Sequence, residues 1–170
     1  MHDRAGLYFW DNGSQLVLFL SGRVTANEAY QFFAHLQPWM AAHPTGSLIL
    51  DLDGTSYIDS TVIGTLIRLQ KSQRRNGGSF ALCNLSDAVE EIIRKTKLLK
   101  YFAIISDDAL RDLEHVVFER LPERDREPLE SRFVLDAHND ICEAVPELRP
   151  QFEQLISMLQ GTQSRRNTSN

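Results

Sequence analysis

The segment Ser47–Leu52 has the sequence SLILDL, and this almost unbroken apolar run limits what the chain can fold into. Such runs are typical of strands that helices cover, as in parallel sheets. A helical pattern over 60–76 follows, with basic residues and Gly77-Gly78 at its end, which are typical helix stop signals. Ser79–Cys83 is a second apolar run. This order of strand, helix and strand predicts a right-handed crossover in an α/β protein.

The residues before this unit predict a hairpin and a helix. Leu7–Trp10 and Gln15–Ser21 have strand patterns, and the Asn-Gly pair between them is typical of a hairpin turn. Thr25 and Glu28 have the spacing of a capping box, which predicts the start of a helix. The remaining elements of this part are a helix over 86–96 and a short strand over 102–105.

The composition of the chain changes near residue 106. Residues 107–170 hold 14 of the 23 acidic residues but only 8 of the 18 Lys and Arg residues. Prolines there separate three apolar stripes at helical spacing, which predict helices at about 107–121, 128–145 and 149–160. We therefore predict an α/β domain over 1–106, a helical extension over 107–160 and a disordered polar tail over 161–170.

Charge, hydropathy and cysteine content exclude several classes of protein. A formal net charge of −5 does not suit nucleic-acid binding, which relies on Lys and Arg to neutralise phosphates. No apolar run approaches the roughly 20 residues of a membrane-spanning helix. The two cysteines do not make a disulfide framework, and the five histidines lack metal-site spacing. We expect a cytoplasmic protein that binds no nucleic acid, metal or cofactor and does not insert into membranes.

Asp59 and Ser60 stand at the predicted start of the helix over 60–76. Asp is a preferred N-cap residue, and a helix N-terminus carries free amide groups and a partial positive charge. A phosphate on a serine in that first turn adds about two negative charges where the fold tolerates them, and it changes the surface for a partner. By itself, the pair is also a plain capping sequence.

The stretch from Leu48 to Ile105 resembles the STAS domain (sulfate transporter and anti-sigma factor antagonist). The resemblance rests on a strand ending in Asp51, a loop ending in Ile58-Asp59-Ser60-Thr61, Gly64 and Leu66 within the helix, Asn76-Gly77-Gly78 before the strand SFALCN, Ser86 at a helix start, and Thr96-Lys97-Leu98 before Tyr101-Phe102. The earlier strand LVLFLSGRVT is also similar to this family, so the resemblance covers about residues 5–106.

The resemblance implies a STAS-like mixed β-sheet of four or five strands with helices mainly on one face, followed by the all-α extension. It implies no catalytic activity. Bacterial members bind a serine-kinase anti-sigma factor, which phosphorylates the serine after the motif Asp and so breaks the complex, and a Ser/Thr phosphatase restores it. The chain is thus expected to be an anti-sigma factor antagonist, a partner-switching phosphoprotein of bacterial signal transduction and transcription regulation.

Residue by residue, the resemblance makes Ser60 the phosphorylation site, with Thr61 as the fallback acceptor. It places partner binding on Asp59, Ser60, Thr61, Ile63 and Gly64. The chain departs from the pattern at Thr61-Val62-Ile63, where many members have Ser-Gly-Leu. Val62 adds a β-branched side chain near the site and leaves the identity of the kinase open.

The run Asp51-Leu52-Asp53-Gly54-Thr55 also resembles the first motif of haloacid-dehalogenase-like, Mg²⁺-dependent phosphatases. There the first Asp is the nucleophile and the second is the general acid/base. Further residues that extend this similarity are Asn84, Asp108, Asp112, and a lysine among Lys95, Lys97 and Lys100. Against it, only two strand candidates follow Leu52, and Cys83-Asn84 lacks the expected hydroxyl. A STAS subunit of a transporter complex and a homodimer formed through the C-terminal helices stay open as alternatives.

Overall fold

The structure is a computed structural model, and it describes residues 4–122 and 128–167. Its centre is one mixed sheet with the strand order β5-β4-β3-β2-β1-β6. The strands are β1 (Gly6–Asp11), β2 (Gln15–Val24), β3 (Ser47–Ile58), β4 (Ser79–Cys83), β5 (Ile104–Ile105) and β6 (Glu119–Arg120). Strands β2 to β5 are parallel, while β1 is antiparallel to both β2 and β6. The predicted mixed α/β fold is confirmed, with six strands in place of four or five.

Five α-helices accompany the sheet in the described ranges. They are α1 (Ala26–Ala42), α2 (Ser60–Arg75), α3 (Asp87–Lys95), α4 (Ser131–Ala144) and α5 (Arg149–Asn167), with 3₁₀ helices at Asp107–Leu113 and Pro146–Leu148. The capping box before α1 is present, since the Thr25 amide donates to a Glu28 carboxylate oxygen at 2.8 Å. None of the helices in the described parts of the chain is both long enough and apolar enough to cross a bilayer.

The main hydrophobic core lies between the helices and one face of the sheet. Strands β2, β3 and β4 direct alternate side chains into it, among them the fully buried Leu18 and Leu50. Phe32 of α1 and Leu66 of α2 pack against them with no exposed surface. The same cluster includes residues of the C-terminal extension, namely Leu121, Phe133, Ile141 and Val145. The extension therefore shares the core of the α/β part.

The predicted helix over 107–121 is wrong. The segment forms a seven-residue 3₁₀ helix at Asp107–Leu113 and then strand β6, whose neighbour Leu121 donates its amide to the Leu7 carbonyl at 2.9 Å. Leu110 and Leu113 form a second buried cluster with Val17, Ile49 and Cys83. Leu110 and Leu113 thus cover the sheet face opposite the α-helices, because side chains on that face also need burial. Leu121 instead belongs to the main core, and Val117 is exposed.

The end of α5 also differs from the prediction. The helix continues through Gly161 to Asn167, whereas the sequence predicted a helix end at 160 and disorder from 161 to 170. A single exposed Gly costs a helix only about 1 kcal/mol, which does not by itself end it. The hydroxyls of Thr162 and Ser164 donate to carbonyls four residues earlier, at 3.0 and 3.2 Å. Residues 168–170 lie outside the described ranges.

We expect Leu110→Ala to lower the free energy of unfolding by about 2 kcal/mol, because it removes a buried side chain from the second cluster. Val117→Ala is the matched control, since Val117 is 85% exposed and its truncation should change stability by less than about 0.5 kcal/mol. Urea denaturation measures both. Equal midpoints for the two variants would mean that 107–113 does not cover the sheet.

Candidate functional site

The N-terminus of α2 is fixed by Asp59, whose carboxylate caps two helices. One oxygen accepts the Val62 amide at 2.9 Å, which is the N-cap bond of α2. The other oxygen accepts the Ala26 amide at 2.9 Å, at the start of α1. The cap on α2 was predicted, but the bond to α1 spans 33 residues and has no local sequence signal. Asp59 therefore holds the backbone at Ser60 in a defined position.

Ser60 is half-buried and forms a hydrogen bond to a residue of the C-terminal extension. Its Oγ lies 2.8 Å from Nε2 of His138 in α4. The other ring nitrogen, Nδ1, lies 2.8 Å from the Val134 carbonyl oxygen, which can only accept. In a neutral ring, Nδ1 therefore carries the proton and Nε2 accepts the proton of the Ser60 hydroxyl. His138, which the sequence left without a role, is 1% exposed.

Three of the proposed partner-binding residues lie deeper than Ser60: Thr61, Ile63 and Gly64. Thr61 is 4% exposed, and its carbonyl accepts the Thr65 hydroxyl at 2.8 Å inside the helix. Ile63 is 3% exposed, and Gly64 is buried. Helix α2 brings all five predicted residues together, but only Asp59 and Ser60 keep appreciable exposure.

Helix α4 covers this face of α2 at very short range. A Cβ atom built on Gly64 would lie 2.1 Å from the carbonyl oxygen of Ala137, which is far inside van der Waals contact. The backbones of the two helices therefore meet directly at Gly64, and a side chain there has no room.

Opposite charges line the next two turns of the same interface. Arg68 Nε donates to Asp140 at 2.9 Å, and Lys71 Nζ donates to Asp140 at 3.2 Å and to Glu143 at 2.6 Å. Burial tends to lower the pKa of Lys71, but its hydrogen bonds to Glu143 and Asp140 outweigh burial and raise that pKa. Arg68 and Lys71, two of the basic residues in the second half of α2, are thus paired with acidic residues of α4.

The first carboxylate of the phosphatase-like motif is buried, and each of its oxygens already accepts a hydrogen bond. Asp51 is 7% exposed, and its oxygens accept the Asp53 amide at 3.0 Å and the Asn84 side-chain amide at 2.8 Å. Burial raises the pKa of Asp51. Strand β3 continues to Ile58, with a register shift against β2 at Asp53. Across 4–122 and 128–167, no three His, Cys, Asp or Glu side chains are grouped to hold a metal ion.

We expect Gly64→Ala to destabilise the protein by about 1–3 kcal/mol, because the new methyl group would strike the Ala137 backbone. Gly161→Ala in α5 is the matched control, since nothing lies within 4 Å of a Cβ there. Helix propensity should make that control more stable by about 0.5–1 kcal/mol. Urea denaturation gives both values, and stabilisation by Gly64→Ala would contradict the close approach of α2 and α4.

Comparisons with known proteins identify the family of the α/β part of the chain. A family model described as the STAS domain matches residues 11–110, which include Ser60 but not α4 or α5. The anti-sigma factor antagonist SpoIIAA in its unphosphorylated form is 17% identical, with a TM-score of 0.54, over 67% of this chain and 99% of that one. The phosphorylated form of SpoIIAA, described as a Bacillus cell fate determinant, is 16% identical, with a TM-score of 0.50, over 65% of this chain and 98% of that one.

A third solved structure shares the fold. An anti-sigma factor antagonist from Mycobacterium paratuberculosis is 22% identical, with a TM-score of 0.54, over 66% of this chain and 96% of that one. At such identities, the solved structures establish similarity of fold. The family model matches more than half of the chain, from the end of β1 to the 3₁₀ helix at Asp107–Leu113. The chain belongs to the STAS domain family.

Proposed function

We propose that this protein is an anti-sigma factor antagonist that works by partner switching and has no catalytic activity of its own. One observation carries the proposal: Ser60 lies in the first turn of α2, directly after the N-cap Asp59, within a STAS domain. Its proposed partners are a serine-kinase anti-sigma factor and a Ser/Thr phosphatase in the bacterial cytoplasm.

The position of Ser60 suits reversible phosphorylation. A phosphate there would lie at the positive end of the α2 dipole, so the fold can carry it, while the surface gains about two negative charges. The kinase would transfer the γ-phosphoryl group of ATP to Oγ, releasing ADP and the hydroxyl proton. Thr61 is less suited as acceptor because it is 4% exposed, whereas Ser60 is half-buried. SpoIIAA, a protein of the same fold, has been solved in both its unphosphorylated and its phosphorylated form.

We expect Ser60→Asp to weaken binding of a serine-kinase anti-sigma factor at least about 100-fold, because a fixed negative charge would oppose the docked partner. Ser60→Ala should bind persistently in the presence of ATP. Ser79→Asp is the control, since Ser79 is exposed at the start of β4, at the opposite end of the sheet. Calorimetry or surface plasmon resonance measures the three affinities.

Incubation with the kinase and ATP should add one phosphate to the intact mass, and peptide mapping should place it on Ser60. Addition of the phosphatase should remove it. Binding of Ser60→Asp with the affinity of the unmodified chain would contradict the switch, and a phosphate mapped to Thr61 would reassign the acceptor.

A further inference from the structure

Helix α4 occupies the surface on which the proposed partner would dock. We infer that α4 is a releasable cover, which closes over Ser60 and Gly64 and must leave α2 before another protein can reach them. The inference rests on the proposed function only for the identity of the partner that binds at Ser60 after α4 has moved away. The cover itself lies outside the family domain, since the match ends at residue 110 and α4 begins at Ser131.

Closure and partner binding exclude each other on steric grounds. At Gly64 the distance of 2.1 Å between a hypothetical Cβ and the Ala137 oxygen leaves no space for a further group. One turn earlier, the Ser60 proton is engaged by His138, which is itself buried. A kinase that needs the Ser60 oxygen must therefore break this hydrogen bond and displace α4.

The contacts that hold α4 on α2 are of two kinds. Phe133 and Ile141 belong to the main core, and the Phe133 ring meets Tyr30 and Phe33 of α1 at centroid distances of 5.2 and 5.5 Å. These apolar contacts favour the closed state. The polar contacts include the Ser60–His138 hydrogen bond and the ion pairs around Asp140, in which the side chains of Asp140, Lys71 and Arg68 are 16%, 22% and 24% exposed. Their strength determines how often the cover opens.

Helix α4 has a second apolar side that does not depend on α2. Leu135 and Cys142 pack with Ile156 of α5 in a separate buried cluster. When α4 leaves α2, this pair of helices keeps its own apolar contacts. Opening therefore exposes less apolar surface than the separation of a lone helix would, and we expect α4 and α5 to move together.

Thiol alkylation of the full chain tests this inference without a partner. Ser60→Cys places a thiol under the cover, and its rate of reaction with N-ethylmaleimide reports opening. Asp140→Lys in the same background opposes Arg68 and Lys71 and should loosen the cover. Glu153→Lys makes the same change of charge on the exposed side of α5 and is the matched control. Peptide mass spectrometry measures the reaction at each cysteine.

The native cysteines are internal controls. Cys83 is 0% exposed beneath the 107–113 segment, and burial raises the pKa of its thiol to about 11. Its alkylation therefore reports unfolding of the sheet or loss of that segment, and not movement of α4. Cys142 is 1% exposed in the cluster with Ile156, and it reports separation of α4 from α5. The reaction rates are measured over a series of pH values and converted to rate constants of the thiolate. A changed pKa of the thiol at position 60 is then not mistaken for a change in the opening of the cover.

We expect Asp140→Lys to accelerate alkylation at position 60 about tenfold, with Glu153→Lys near the parent rate and with Cys83 and Cys142 protected. Equal thiolate rates with and without Asp140→Lys would overturn the inference. So would alkylation of Cys83 in step with position 60, because the cover would then open only when the protein unfolds.

A second measurement separates this inference from the proposed function. With a serine-kinase anti-sigma factor and ATP, the Asp140→Lys chain that retains Ser60 should take up phosphate faster than the unmodified chain. If alkylation at position 60 depends on Asp140 but neither chain takes up phosphate, the result supports the cover and contradicts the proposed phosphorylation of Ser60. If alkylation at position 60 does not depend on Asp140 but both chains take up phosphate equally, the result contradicts the cover and supports the proposed phosphorylation of Ser60.

Discussion

The architecture depends on a parallel strand that is buried on both faces. Leu50 and Ile49 are neighbours in β3, yet they enter two different hydrophobic clusters on opposite sides of the sheet. A parallel sheet of this kind needs cover on each side. The α-helices cover one face, and the 3₁₀ segment with Leu110 covers the other. Leu113, Leu121 and Phe133 follow the STAS match in the chain and pack in these two clusters, so the extension helps to cover the sheet.

The sequence predicted the parts whose signals are local. The apolar run of β3, the capping box at Thr25 and the N-cap at Asp59 each depend on residues only a few positions apart. These signals were enough to place Ser60 in the first turn of α2. The segment over 107–121 was misassigned because a short apolar stripe that covers a sheet has nearly the same spacing as one face of a helix.

The interface between α2 and α4 could not be predicted from such local signals. His138 meets Ser60 across 78 positions, and Asp140 meets Arg68 across 72. One signal was available: basic residues at 68 and 71 in one predicted helix and acidic residues at 136, 140 and 143 in another are complementary on facing surfaces. The close approach at Gly64 needed coordinates, because the sequence does not say which backbone lies beside a glycine.

The double capping by Asp59 has an electrostatic consequence. Each helix N-terminus carries roughly half a positive elementary charge, so the starts of α1 and α2 together offset about one carboxylate. Asp59 already balances part of that charge, so the two helix starts would offset only a fraction of a dianion on Ser60. The uncompensated negative charge would lie on the α4 side of Ser60, where His138 packs. We therefore expect a phosphate on Ser60 to be tolerated by the fold and, at the same time, to change the electrostatic potential that an approaching protein meets.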